Sequence, residues 1–493
     1  MKFKIPLIIL LIISIAISAF IVIDSRLEMQ EKQLELFKEF YALMDKNYVD
    51  TINLPDLMKK TIKKTVAELD QWSSYYDVEE AKKRNDDWKG IQYAGIGSGV
   101  KQTDSGVVIT YPYNGMPALN AGLRTGDLIV EINGRKVQKQ LLDSVVKQLK
   151  GKDGDSIYLT IKRPYIGIIK VGMVRNTIID KAVPTYFMEN DSTGYIKLNH
   201  FLYGSANSVR DKVLELKEKG MKKLVLDLRG NYGGLVAEAA STLSIFLPLN
   251  TLVCSVRGKD STKNYSNKTL EKPVDTLMPI TILTDRKTIS SGEIFTGCLK
   301  DHNRATVIGD TTYGKGFVQG TYYFKNGAIL YITAGRYYTP SGNFIGGRGV
   351  APNIVGKTTD SIPPEIQAIL NSGVITNYCI KRRNLYKNES LIIDNKTFND
   401  FNSYYLENVS SVKLPEEGVL SKFQQYSSFK NIKNEIENRK QNLTKIYRKE
   451  IELELYKEML RQQYQYSTVD KIEFEHSKMF KFLTQKGFIS TKE

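Results

Sequence analysis

The sequence predicts a multidomain α/β protein, and three observations predict it. Between about Asp191 and Val355, apolar strand-like runs alternate with helical ones, the order of an α/β layer structure. Residues 92–176 consist instead of short alternating segments and glycine turns, a small β-rich unit. Beyond residue 355 the chain becomes rich in Asn, Lys, Tyr and Gln and holds a long helical pattern. With 493 residues, 41% of them hydrophobic and 25% charged, there is length for several domains and an ordinary globular composition.

The elements follow in order. Ile5–Ile23 is a 19-residue apolar run opened by Lys2 and Lys4 and closed by Asp24, Ser25 and Arg26. It is long enough to cross a bilayer, and the basic flank should stay cytoplasmic, which places the body outside. Residues 1–24 are thus expected to be an anchor, or else a signal sequence cleaved near Ala16-Ile17-Ser18. Residues 25–91 read as helical. Leu34, Phe37, Phe40, Leu43 and Met44 have helical spacing, and Leu54–Leu69 forms a second run.

Gly95-Ile96-Gly97-Ser98 opens the β-rich unit, Gly106–Thr110 is strand-like, and Asn133-Gly134 marks a turn between strands. Leu141–Leu149 reads as a short helix and Asp155–Lys162 as a strand. In residues 177–355 the expected strands are Gly194–Leu198, Lys223–Leu228 and Pro279–Thr284, separated by helices over Ala206–Lys219 and Leu235–Phe246. Gly292–Lys300 should be a third helix, and Gly316–Phe324 with Ala328–Arg336 a hairpin around Asn326-Gly327. In residues 356–493, a single helix over Asn431–Gln465 carries the stripe Ile432, Ile436, Leu443, Ile446, Leu453 and Leu460. It reads as an accessory helical domain or an arm, in the plainest case a solvated helix covering the body.

Composition excludes several functions. The net charge of +16 divides into +12 over residues 1–355 (48 basic, 36 acidic) and +4 over 356–493 (22 basic, 18 acidic). Only Lys381-Arg382-Arg383 is a dense basic run, which argues against nucleic-acid binding and leaves attraction to an anionic membrane. Cys254, Cys298 and Cys379 lack metal spacing and allow at most one disulfide. His200, His302 and His476 lie in no motif, so no metal or cofactor is expected.

Two stretches carry chemistry. Thr288-Ile289-Ser290-Ser291-Gly292-Glu293 joins a buried strand to a helix, which puts the Ser290 hydroxyl at a helix N-terminus, where developing negative charge is favoured. The same spacing is a capping box, in which Ser290 merely caps the helix. Twenty-five residues on (315 − 290 = 25), Lys315 stands between Gly314 and Gly316. A lysine serves as a base only if burial lowers its pKa by about three units from ~10.4, roughly 4 kcal/mol of differential solvation. Lys315, Phe317 and Gln319 are expected on one face of a strand, so that Gln319 orients the amine. Gly233-Gly234 follows the strand ending Asp227-Leu228-Arg229, and the N–H groups of Gly233 and Ser291 would form an oxyanion hole. A plain tight turn looks the same.

Pro117–Val137 resembles a PDZ domain through Ala121-Gly122-Leu123, Gly126-Asp127 and Asn133-Gly134. That resemblance implies capture of a peptide C-terminus by Gly95, Ile96, Gly97 and Ser98, with Ser98 where an apolar residue is more usual. The wider set also includes Leu226–Gly234, Ser290-x-x-Glu293-Ile294, Val307–Gln319 and Arg336–Gly342. In this order it resembles the C-terminal processing peptidases, or tail-specific proteases, over residues of about 30–355. The resemblance implies a crotonase/ClpP-like α/β protease core, a Ser290–Lys315 dyad supported by Gln319, and protein substrates with free C-termini. It implies action in the cell envelope and leaves a homo-oligomer or an adaptor open. A catalytically inactive PDZ scaffold and a crotonase-like acyl-transfer enzyme are the competing readings.

Overall fold

A computed structural model describes residues 28–88, 91–103, 105–113, 115–356, 362–382, 393–420, 429–463 and 466–489. The run Ile5–Ile23 lies outside them, and among the described residues no helix is long and apolar enough to cross a membrane. The chain divides into two compact units. One holds the described residues through Ala81 together with Gln319–Thr333, and the other Lys82–Val318 with Ala334–Glu493.

In the smaller unit, helices over 28–47 and Leu54–Ala67 match the apolar spacing. Asn53 caps the second by accepting the Asp56 N–H at 3.1 Å, and a proline stands in its first turn. The strand Ser74–Tyr76 pairs antiparallel with Ile329–Tyr331. The expected hairpin forms, Phe317–Tyr323 against Ile329–Tyr338, with Gly327 at φ +89° in its turn. The strand begins at Phe317, so Lys315 lies in the preceding loop and the one-face argument joining it to Gln319 fails.

The larger unit contains the β-rich domain and the α/β core. The first is an antiparallel sheet in the order Ser98–Thr103, Gly106–Pro112, Leu128–Ile132, Ser156–Arg163, Gly167–Val174. Ser98–Thr103 is an end strand of that order, and the helix Leu142–Leu149 packs beside it.

The core sheet has six strands in the order Tyr186–Met188, Thr193–Lys197, Lys223–Asp227, Ile280–Thr284, Ala305–Gly309, Ile354–Val355. All its pairings are parallel except the first. Three of these strands were expected. Alternation sends Leu224, Leu226 and Ile282 to one face, where they bury against the helices Ser205–Glu218, Val236–Leu243 and Ser291–Asp301. Tyr195, Val225, Leu283 and Ile308 point to the other face, and there Phe474, Met479 and Leu483 of the C-terminal helices, with Ile489 beyond them, cover them.

This corrects the expectation of a solvated tail. A parallel sheet needs both faces covered, and the end of the chain supplies the second layer. The long helix is in fact two, Phe429–Ile446 and Arg448–Gln462, separated at Tyr447, where φ is −111° and ψ 35°. The break lets Leu443 and Ile451 enter one core with Phe401, Tyr405 and Tyr378, while Ile432 and Ile446 of the expected stripe are exposed.

Candidate active site

Ser290 precedes the helix Ser291–Asp301, whose residues are buried through Leu299. Its backbone is at φ 59°, ψ −116°, outside both the helical and the extended regions. Three of the other four non-glycine residues with positive φ among those described are asparagine, which tolerates the left-handed region. A serine held there stores strain of order 1–3 kcal/mol, and such strain collects at functional turns. An N-cap serine ordinarily sits in the extended region and accepts an amide hydrogen bond through its hydroxyl. Here the Ser290 side chain faces the Glu293 N–H in a capping box, while that N–H donates to the Ser290 carbonyl at 2.8 Å.

The reciprocal half of the box, through Glu293, reaches further than the helix. Glu293 Oε2 accepts the N–H of Ser290 at 2.8 Å and the N–H of Lys315 at 2.8 Å. Glu293 Oε1 accepts the Gly314 N–H and the Thr312 hydroxyl, each at 2.6 Å. The side chain is fully buried. Burial pushes its carboxyl up from the ordinary value, opposed by the Thr312 hydroxyl and the three backbone donors. One carboxylate therefore ties the Ser290 turn to the Lys315 loop. Spacing alone signalled only its local, capping half.

Close backbone approach fixes the same loop. A Cβ on Gly316 would lie 2.2 Å from the Gly346 nitrogen, and Tyr313 N–H donates to the Thr288 carbonyl at 3.0 Å. Lys315 is half-buried.

Gly233 lies against Ser290 as expected. Its Cβ, if present, would be 2.9 Å from Ser290 Cβ and 3.2 Å from the Ser291 nitrogen, so only glycine fits, at φ +85°. The Gly233 N–H, however, donates to Asn231 Oδ1 at 2.9 Å. Asn231 is fully buried and donates from Nδ2 to the Leu198 carbonyl, an anchoring role that the sequence reading missed although the residue stood inside the motif. Behind it, buried Asp227 accepts from the Tyr195 hydroxyl (2.7 Å), the Arg229 N–H (2.9 Å) and the Arg229 guanidinium (2.6 Å). Burial alone would push this carboxyl up, but Lys197 and Arg229 outweigh it and hold it well below the ordinary range.

Gln319 lies on the strand after the Lys315 loop, in the smaller unit. Its Nε2 is buried and has no hydrogen-bond partner among the described residues. The histidines are occupied structurally. His200 Nδ1 accepts the Leu202 N–H at 3.2 Å, His302 Nε2 meets the Leu252 carbonyl, and His476 Nδ1 the Ile472 carbonyl. All three cysteines are free and buried.

In the β-rich domain, the Ile96 and Gly97 carbonyls accept the N–H groups of Ala118 and Tyr113, which holds the loop to Tyr113 and to the helix Pro117–Asn120. Gly97 has φ +69°, and a Cβ there would strike Met116 Cβ at 2.3 Å. Ser98 is buried, and its hydroxyl donates to the Gly99 carbonyl at 3.0 Å.

Among known proteins, residues 192–355 match the family model described as Peptidase family S41, and residues 94–167 the one described as PDZ domain. The chain is 34% identical over 349 residues to a probable CtpA-like serine protease of Staphylococcus aureus (strain MRSA252), covering 69% of each. A probable CtpA-like serine protease of Staphylococcus haemolyticus (strain JCSC1435) is 32% identical over 343 residues, 69% of this chain and 67% of that one. Among solved structures, the photosystem II D1 C-terminal processing protease is 24% identical with a TM-score of 0.39, covering 65% of this chain and 92% of that one.

The Glu293 arrangement makes a direct prediction. In Glu293→Gln, one oxygen position becomes an NH2 facing two donors, so two hydrogen bonds are lost at a buried site. The variant should lose about 2–4 kcal/mol of stability, and the amides of Ser290, Gly314 and Lys315 should exchange faster with deuterium. Unchanged exchange at all three would contradict the tie.

Proposed function

Because this chain belongs to peptidase family S41 and is a serine-type peptidase with a PDZ domain, we propose that it cuts protein substrates at or near their C-termini with Ser290 as nucleophile and Lys315 as base. The observation that carries this is the Ser290 turn, a serine in a strained backbone at the N-terminus of a buried helix, tied through Glu293 to the loop of Lys315. That is the placement a nucleophile at a strand-to-helix turn needs.

The half-buried Lys315 amine takes the proton from Ser290 Oγ as the oxygen attacks the scissile carbonyl. Charge then develops on the carbonyl oxygen, beside the first turn of the helix and the N–H groups of Ser291 and Gly233. Since Asn231 Oδ1 holds the Gly233 N–H in the described state, the oxyanion must draw that donor from it. Lys315 then returns the proton to the leaving amine, and water repeats the sequence on the acyl-enzyme. The resemblance assigns Gln319 to orient the lysine, and its Nε2 is buried without a hydrogen-bond partner among the described residues. Ser290→Ala and Lys315→Ala should each abolish digestion of an unfolded protein by the full chain. Because the two act as a unit, the double variant should be scarcely worse than either single one. Substantial turnover by Ser290→Ala would exclude this assignment.

The PDZ domain delivers the substrate. A peptide C-terminus adds to Ser98–Thr103, an end strand of its sheet, with its carboxylate at the Gly95–Ser98 loop. Free-acid peptides ending in a small or aliphatic residue should bind better than the same peptides amidated, by about 1.5–3 kcal/mol or roughly ten- to a hundredfold. Equal affinity of the two forms would make the loop structural only.

The enzyme acts in the cell envelope, held by Ile5–Ile23 with its body outside the cytoplasm, as Lys2 and Lys4 before the apolar run suggest. A reporter that works only outside the cytoplasm, fused after Glu493, should be active. Activity of a cytoplasmic reporter in its place would refute the topology.

A further inference from the structure

The PDZ domain is fastened to the C-terminal helices by a second attachment besides the chain itself. Gln462, 3% exposed, donates from Nε2 to the Thr125 carbonyl at 3.3 Å and to Glu458 Oε1 at 2.8 Å. Lys101, on the peptide-accepting strand, reaches the Leu370 carbonyl at 3.4 Å. The Tyr165 hydroxyl bonds that of Tyr404, and the Lys381 ammonium lies 5.4 Å from both ring centres. Gly126 approaches so closely that a Cβ would meet Ile380 Cδ1 at 2.6 Å.

The same C-terminal region is rooted in the peptidase core. Met479 and Leu483 are fully buried against the sheet. Thr185 Oγ1 donates to Asp470 at 2.8 Å, and Lys471 Nζ to the Met188 carbonyl at 2.8 Å.

These attachments differ in kind. The one to the core is mainly apolar and non-directional. The seam with the PDZ domain is mainly polar and partly buried, and its hydrogen bonds are directional, so they favour one arrangement. A peptide end held at a fixed site is presented to a second site effectively only when the intervening chain matches the span.

Building on the proposed reading of substrate C-termini, we infer that the C-terminal helices are a spacer that fixes the PDZ carboxylate loop relative to Ser290 and so selects which bond is cut. The bond is chosen by its distance in residues from the free C-terminus, and the residues that set this distance are Gln462, Tyr404 and Lys101.

The test uses the full chain and one unfolded substrate extended at its C-terminus one residue at a time, with products mapped by mass spectrometry. In the wild type the dominant cut should move one bond for each residue added. In Tyr165→Ala/Gln462→Ala the products should spread over neighbouring bonds, while turnover of a short peptide that reaches Ser290 unaided stays unchanged. Gln462→Ala alone gives the same comparison should the double variant not fold. A wild-type cut that follows the end, together with variants that follow it as sharply, overturns the spacer and leaves C-terminal recognition standing. A wild-type cut that ignores the end overturns C-terminal recognition itself, and the spacer with it.

Discussion

The Glu293 carboxylate is the constraint on which the site depends. Its two oxygens gather donors from Ser290, Thr312, Gly314 and Lys315, segments 21 and 22 residues apart at the Gly314 and Lys315 contacts. All four partners are donors, so only an acceptor at both oxygens satisfies the group. Without it the Ser290 turn, already in a strained conformation, would lose its link to the Gly314 and Lys315 amides and keep the Tyr313–Thr288 backbone bond to that loop. On the other side of Ser290, the absence of a side chain at Gly233 lets two backbone segments meet at contact distance. That glycine turn rests in turn on Asn231 and on the buried Asp227–Arg229 pair.

A second dependence runs from the sheet to the end of the chain. Val225, Leu283 and Ile308 are apolar on the face that the core's own helices do not cover. The C-terminal helices bury that face, build a core of their own around Tyr378, Phe401 and Tyr405, and meet the PDZ domain along a polar seam. The tail is thus part of how the peptidase folds, and it is bonded to the PDZ domain as well.

Much of this was legible in the residues. The central strands, the three helices packed on them and the Asn326-Gly327 hairpin followed from apolar runs and turn residues, because buried parallel strands and tight turns leave strong local signals. Ser290 and Gly233 stand out by residue type and spacing, and the structure places them side by side. What failed was non-local. Ser290-x-x-Glu293 reads as a capping box, and nothing nearby in sequence shows that Glu293 also binds the Lys315 loop. The short strands Tyr186–Met188 and Ile354–Val355 carry too few residues for a pattern. Lys315 was placed on a strand that begins two residues later, since alternation does not mark where a ladder starts. The tail was misjudged because its polar composition masks a few deeply buried positions such as Met479 and Leu483.

The central claim is that Ser290 is the attacking group in this geometry. Incubating the full chain with a peptidyl phosphonate, which traps an activated serine covalently, and mapping the adduct by mass spectrometry tests it directly. The account predicts a single adduct on Ser290 in the wild type and a much slower one in Glu293→Gln. An adduct on Ser291 or elsewhere, in protein that digests unfolded substrate, would contradict it.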